Sequence, residues 1–286
     1  MVYGESVRPR RLVVFTDLDG TLLDHETYSY AAAAEALDLL AEQNIPLVLC
    51  SSKTRAEIEL LRLDLRLSHP FISENGGGVF LPRGYFSVTL REARRLEGYE
   101  VIQLGAPYWQ LVETLHRVAS QLGIQVVGFS DMSPEAVAKE CKLTVLEARL
   151  AKMREYDEPF RFVQASAAAQ SRLFAALHRA GLRCTRGGRY HHVTGVADKA
   201  LAVRTLKSLY ARAWGQVLAV GLGDSPSDLS LLREVDIPVI VRNPAAGASA
   251  RLLRKVPGAR LTKQPGPRGW NEAILDVVGR HVPPAG

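Results

Sequence analysis

The apolar run Leu12-Val13-Val14-Phe15-Thr16 breaks into Asp17-Leu18-Asp19-Gly20-Thr21, a buried strand giving way to a turn. Alternate strand residues point to opposite faces, so in a regular strand Asp17 and Asp19 share one side. Gly20 lets the chain bend sharply just after them. In open α/β sheets ligands bind outside the carboxyl ends of the strands. Two carboxylates placed there suit a divalent cation and an electrophile, since unpaired buried charge is otherwise costly. Asp-Gly alone is also an ordinary turn signal. A calcium loop is excluded: with Asp17 and Asp19 at its third and fifth positions, Phe15 would have to be a ligand.

The surrounding pattern supplies the fold class. Strand 11–16 is followed by an Ala-rich helix over 29–43, strand 46–50, a helix over 54–65 and strand 71–73. Strands alternating with helices indicate a parallel, doubly wound, Rossmann-like α/β sheet. Gly76-Gly77-Gly78 and Pro82-Arg83-Gly84 interrupt the rhythm. Helical stretches at 107–122, 133–151 and 168–180 and strand-like pieces at 125–129, 160–164 and 183–186 then read as an α+β insertion. The first pattern resumes with helix 199–211, strand 217–221, helix 226–234 and strand 237–241, and closes with helix 270–280. The expected organisation is a core of 1–84 plus 193–286 and an inserted domain of 85–192.

At 286 residues and 47% hydrophobic, the chain can hold one large domain or two modest ones. No apolar stretch reaches the length of a membrane span, and Met1–Arg11 is not followed by a signal-peptide core. The expectation is a soluble cytoplasmic protein. Cys50, Cys141 and Cys184 are too scattered for a disulfide framework and lack metal-site spacing, so they read as small core hydrophobes. A net charge of +6 suits an anionic small-molecule substrate and equally suits ordinary solubility. Dispersed basic residues without aromatic interleaving argue against a nucleic-acid partner. No feature specifies an oligomeric state.

Four segments carrying chemistry fall at strand ends. Asp17/Asp19 is the first. Ser51-Ser52-Lys53-Thr54 follows strand 46–50, where hydroxyls at a helix N-terminus either hold a phosphate or cap the helix. Lys199 sits in the first turn of its helix, behind the N-cap candidate Asp198, against the macrodipole. It is either solvated or aimed at an anion. In Gly221-Leu222-Gly223-Asp224-Ser225-Pro226-Ser227-Asp228, Ser225 fits an N-cap, Pro226 the first helical position, and Asp228 a capping box. Asp224 lies between strand and cap and is needed for neither.

In this order and spacing, the four segments resemble the haloacid dehalogenase-like superfamily of aspartate-nucleophile phosphotransferases. The resemblance implies that Asp17 attacks phosphorus to form an aspartyl-phosphate. It implies that Asp19 protonates the leaving alcohol and deprotonates the attacking water, and that Ser51 and Lys199 bind the transferring phosphoryl oxygens. It implies Mg²⁺ held by the Asp17 carboxylate, the Asp19 backbone carbonyl and Asp224, with Asp228 orienting Lys199 or a metal-bound water.

An insertion between the second and third segments is similar to the cap of the sugar-phosphatase branch, which closes over the core and chooses the substrate. Ser51-Ser52-Lys53, Glu74-Asn75-Gly76-Gly77, Glu158-Pro159-Phe160 and Arg186-Gly187-Gly188-Arg189-Tyr190-His191-His192 further resemble the mannosyl-3-phosphoglycerate phosphatase family. What this implies is Mg²⁺-dependent hydrolysis of a phosphorylated sugar–glycerate to mannosylglycerate, a compatible solute, and inorganic phosphate. Glucosyl-3-phosphoglycerate, sucrose phosphate and general sugar phosphates are the alternative substrates, and a phosphomutase the alternative reaction. Ser52, Lys53, Arg186, Gly187, Gly188, Arg189 and His191 are the expected substrate contacts. The two arginines flanking bare backbone N–H groups suit a carboxylate. Adjacent on a strand, His191 and His192 face opposite ways, so at most one meets the substrate.

Overall fold

The computed structural model describes residues 10–88, 92–187, 189–245 and 247–282. The chain first lays down β1 (Arg11–Thr16), α1 (Ala34–Glu42), β2 (Leu47–Cys50), α2 (Arg55–Asp64) and β3 (Phe71–Ser73). It continues with β4 (Gly78–Pro82), β5 (Arg94–Leu96), β6 (Tyr99–Gln103), α3 (Tyr108–Gln121), β7 (Val126–Gly128), α4 (Pro134–Cys141) and α5 (Val145–Ala151). Then come β8 (Asp157–Phe162), α6 (Ala167–Arg179), β9 (Arg183–Gly187) and β10 (Tyr190–Thr194). The last part holds α7 (Lys199–Trp214), β11 (Val217–Gly223), α8 (Leu229–Glu234), β12 (Ile237–Arg242), α9 (Ala248–Lys255), β13 (Arg260–Pro265) and α10 (Gly266–His281).

Among the described residues these strands form a nine-stranded sheet, β13-β12-β11-β1-β2-β3-β4-β6-β5, and a four-stranded sheet, β7-β8-β10-β9. From β13 to β3 the pairings are parallel; β4, β6 and β5 add on antiparallel. From β1 the chain winds one way to β2 and β3, and later returns on the other side to β11, β12 and β13. The carboxyl ends of β1 and β11 therefore flank a topological switch point, where a doubly wound sheet opens a crevice.

The apolar run at β1 is explained by burial on both faces. Leu12 and Val14 pack with α1 and α10 residues such as Leu40 and Trp270. Val13 and Phe15 pack with α7 and α8 residues such as Leu206 and Leu231. Trp270 is fully buried, and its indole Nε1 donates to Thr16 Oγ1 at 3.0 Å, which donates in turn to the Asp17 carbonyl at 2.8 Å. Trp270→Ala is expected to cost about 3–5 kcal/mol, read as a lower midpoint in urea unfolding; a loss under about 1 kcal/mol would show that α10 is not part of this core.

Three sequence expectations change. The break placed at residue 85 cuts the nine-stranded sheet, which β5 and β6 continue to Gln103. β5 is the edge strand, pairing on one side only, and its Arg94-Arg95-Leu96 carries no buried-strand signal, while β6 lies between β4 and β5 with only Val101 and Ile102 buried. The helix read over 133–151 is two, α4 and α5, parted where Lys142 takes a left-handed φ of 59° and Thr144 caps the second. β13 and α9 fill a stretch read as tight loops, and β10 runs on to Thr194 where a strand is expected only at His191 and His192. Among the described residues no helix is long and apolar enough to cross a membrane.

Candidate active site

Three adjacent strands of the large sheet, β11, β1 and β2, end at one place. Asp17 follows β1 and stays in register with β11, its N–H donating to the Leu222 carbonyl at 2.9 Å. Ser51 follows β2, and Asp224 follows β11. Lys199 opens α7 behind Asp198, which caps that helix by accepting the Leu201 N–H at 3.0 Å. The structure places the four segments at neighbouring strand ends and the start of α7.

The centre is a buried cluster of charge. Lys199 Nζ donates to Asp17 Oδ1 at 2.6 Å and Asp228 Oδ1 at 2.7 Å. Carboxylate oxygens of Asp17, Asp224 and Asp228 lie within 4.8 Å of one another. Burial, and then the neighbouring Asp228 carboxylate, push the Asp17 carboxyl upward against the pull of Lys199. The same two causes raise Asp224 to about 6. Burial alone would make Lys199 a weaker base, but Asp17 and Asp228 overcome it and hold the lysine charged. Three carboxylates facing one ammonium leave an excess of buried negative charge, which a cation relieves.

The donor set fits a hard divalent cation such as Mg²⁺: every candidate ligand is a carboxylate oxygen. Asp17 engages Lys199 through Oδ1. Asp224 is steered by Thr21 Oγ1 at 3.2 Å and Asn243 Nδ2 at 2.5 Å. Gly20 has φ of +79°, and a Cβ there would come within 2.8 Å of Asp224 Oδ2. Glycine at this turn thus keeps the space beside that carboxylate open.

Asp228 serves both of its candidate roles. Its Oδ2 accepts the Asp224 and Ser225 N–H groups at 3.2 and 3.1 Å, completing the capping box, while Oδ1 holds Lys199. Of the hydroxyls after β2, Thr54 takes the capping duty with Glu57, while the Ser51 hydroxyl accepts the Lys53 N–H at 3.2 Å and keeps its own proton to donate. Ser51 is buried. Lys53 Nζ approaches Asp19 Oδ1 to 3.1 Å, but off the line of a hydrogen bond, and that buried oxygen has no hydrogen-bond partner. Asp19 therefore stands beside the cluster with acceptor capacity in hand.

The second sheet meets this site differently from expectation. His191 does not face it. Its ring lies 5.2–5.6 Å from Phe160, Phe162 and Phe174, on the face covered by helices. Arg186 is directly opposite His191 in the β9–β10 ladder and so shares that face. Arg189 donates to the Glu140 carbonyl at the end of α4. Gly187 ends β9, and Gly188 lies outside the described residues. His192 occupies the other face, with Nδ1 2.9 Å from Asp157 Oδ2. Asp157 is 3.5 Å from Arg154, which donates to the Ser52 carbonyl at 3.0 Å. Hence His192, not His191, is on the side that reaches the loop after β2. Strand alternation could show that the two differ, but not which face the helices cover.

Sequence reasoning also missed Thr21 and Asn243 on Asp224, and the Glu74–Arg154–Asp157 group between the sheets. Asn243 carries the one usable signal, a polar residue directly after β12 at the carboxyl end of the sheet.

Residues 14–86 match a family model described as haloacid dehalogenase-like hydrolase. The chain is 43% identical over 269 residues to a glucosyl-3-phosphoglycerate/mannosyl-3-phosphoglycerate phosphatase of Methanococcoides burtonii, covering 94% of this chain and 98% of that protein. It is 38% identical over 271 residues to a protein of the same description from Persephonella marina, covering 93% and 97%. Among solved structures, a haloacid dehalogenase-like hydrolase from Bacteroides thetaiotaomicron superposes with a TM-score of 0.65 at 19% identity, covering 94% of this chain and 99% of that one.

Proposed function

The chain belongs to the haloacid dehalogenase-like hydrolases, in the family of the glucosyl-3-phosphoglycerate/mannosyl-3-phosphoglycerate phosphatases, and we propose that it removes the phosphate from a glycosyl-3-phosphoglycerate, the mannosyl ester first. The observation that carries this reading is the Asp17–Lys199–Asp228 cluster beside Asp224, at the switch point of a sheet whose relatives are phosphatases.

Phosphate monoesters hydrolyse extremely slowly without a catalyst, so the site must supply a very large stabilisation. Asp17 attacks phosphorus in line, the bond to the glycerate oxygen breaks, and the phosphoryl group becomes bonded to an Asp17 carboxylate oxygen as an acyl phosphate. Lys199 and the Ser51 hydroxyl donate to the non-bridging oxygens, where charge gathers during transfer. Asp19 gives its proton to the departing glycerate oxygen. It then takes one from the water that attacks phosphorus and frees Asp17. Asp17, Asp224 and the chain at Asp19 would hold Mg²⁺, which would supply the positive charge that lets carboxylate and phosphate approach. Asp228 keeps Lys199 aimed. Lys53, released as Asp19 turns to the leaving oxygen, meets the substrate carboxylate. The sugar–glycerate part extends toward the second sheet, on the side of His192. That sheet and its helices form the substrate-selecting cap.

The test is phosphate release with Mg²⁺ from mannosyl-3-phosphoglycerate, glucosyl-3-phosphoglycerate, sucrose phosphate and mannose 6-phosphate. A preference of about 10²-fold or more in kcat/KM for the phosphoglycerate esters is expected. Equal turnover of simple sugar phosphates would sink the substrate assignment while leaving the core chemistry intact.

A further inference from the structure

We propose that Glu74 is a positioning residue that ties the phosphoryl-binding loop after β2 to the chain entering β8, so that an ester reaching the second sheet is presented correctly to Asp17. This rests on the reading above only in taking phosphate at Ser51 and Lys199, with the rest of the substrate toward the second sheet.

The carboxylate of Glu74 is buried, and the chemistry above does not use it. It accepts two successive backbone N–H groups, Glu155 at 3.0 Å on Oε1 and Tyr156 at 2.8 Å on Oε2. A carboxylate is the side chain that can satisfy two donors in this forked way. Its own backbone belongs to the other partner. Glu74 N–H donates to the Lys53 carbonyl at 3.0 Å, and Asn75 N–H to the Ser51 carbonyl at 2.9 Å. One residue later Gly76, at φ +101°, lies so close to α7 that a Cβ would stand 2.2 Å from the Asp198 carbonyl oxygen. The turn Glu74–Gly76 thus touches the loop carrying Ser51 and Lys53, the start of the Lys199 helix, and the chain leading to Asp157.

The backbone marks the same residue. Glu74 and Asn75 take φ of 46° and 56°, the left-handed region that glycine or asparagine fills at lower cost than glutamate. A local rule broken without local gain points to a role set by the surroundings. Arg154 supplies a second tie from the same chain, donating to the Ser52 carbonyl at 3.0 Å. Two bridges therefore run from residues 154–156 to 51–53, directly behind the groups that hold the transferring phosphate.

The experiment compares Glu74→Gln with the wild type on two substrates: the ester that the wild type prefers in the panel above, and p-nitrophenyl phosphate, which is too small to reach the second sheet. Glutamine keeps the shape but sets its amide against one of the two N–H donors. For the preferred ester kcat/KM is expected to fall roughly 10- to 100-fold, the effect of a small misplacement of bound substrate. For p-nitrophenyl phosphate the change is expected to stay within about threefold, with the melting temperature nearly unchanged. Arg154→Met, which cuts the second bridge, is expected to show the same split and stands in should Glu74→Gln fail to fold. Equal loss on both substrates, or no loss on either, overturns the proposal. A wild type that prefers a simple sugar phosphate overturns the substrate assignment instead, and the Glu74 comparison is then read on that sugar phosphate.

Discussion

Asp17→Asn is expected to abolish phosphate release, lowering kcat by roughly 10⁴-fold or more, while leaving a folded protein at least as heat-stable as the wild type. The two halves of this result have one physical source. Asp17 is buried beside Asp228, and both circumstances disfavour its charged form; only Lys199 favours it. Asparagine keeps an oxygen for Lys199 and removes a charge that folding must otherwise accommodate. Lys199 retains Asp228 at 2.7 Å, so it is not stranded as an unpaired buried cation. What the variant lacks is a carboxylate oxygen able to bond to phosphorus. Phosphate release and thermal melting on the same preparation check both halves. Residual activity above about 1% would remove Asp17 from the nucleophile's role. A fall in melting temperature of more than about 5 °C would mean that the charged pair supports the fold rather than straining it.

The site was legible in the sequence because each of its parts sits where a strand ends, and a buried strand announces its end by losing apolar residues. Asp17, Ser51 and Asp224 follow β1, β2 and β11, three neighbours in one sheet, and the alternation of strands and helices implied that sheet before the order was known. Asp228 shows why a local motif is weak proof on its own: it caps its helix and holds Lys199 with different oxygens of one carboxylate. The second sheet was less legible. Its placement depends on contacts between distant segments, such as Glu74 with Tyr156 and Thr54 with the Leu150 carbonyl. No spacing rule encodes such contacts. The arginines near Gly187 show a related limit: the motif is visible, but the face of β9 and β10 that is covered is decided by the packing of α6, directly before β9, and of α3, much earlier in the chain.

Stripping divalent cations from the protein with EDTA is expected to stop phosphate release and to lower the melting temperature, by an amount that grows from pH 5.5 to pH 8. The sign follows from the buried carboxyls. Asp17 and Asp224 have folded-state pKa values raised above their ordinary value of 3.8, Asp224 to about 6 and Asp17 higher. An acid of this kind holds its proton more tightly folded than unfolded. Its contribution to stability is complete below the unfolded pKa and is lost as pH rises through the folded one. The metal-free protein should therefore weaken steadily across this window. For Asp224 alone, the whole rise from 3.8 to about 6 corresponds to roughly 3 kcal/mol, most of it lost below pH 5.5; about 1 kcal/mol falls inside this window, or roughly 2–4 °C in a chain of this size. Mg²⁺ binds the deprotonated carboxylates, so it competes with those same protons and its stabilisation rises as they leave. Melting curves with Mg²⁺ and with EDTA at the two pH values measure the gap directly. Asp224→Asn is expected to flatten the pH dependence of the metal-free protein and to narrow the gap together. A gap equal at both pH values would show that the cation binds away from this cluster. A variant that keeps its full response to Mg²⁺ would show that Asp224 is not a ligand.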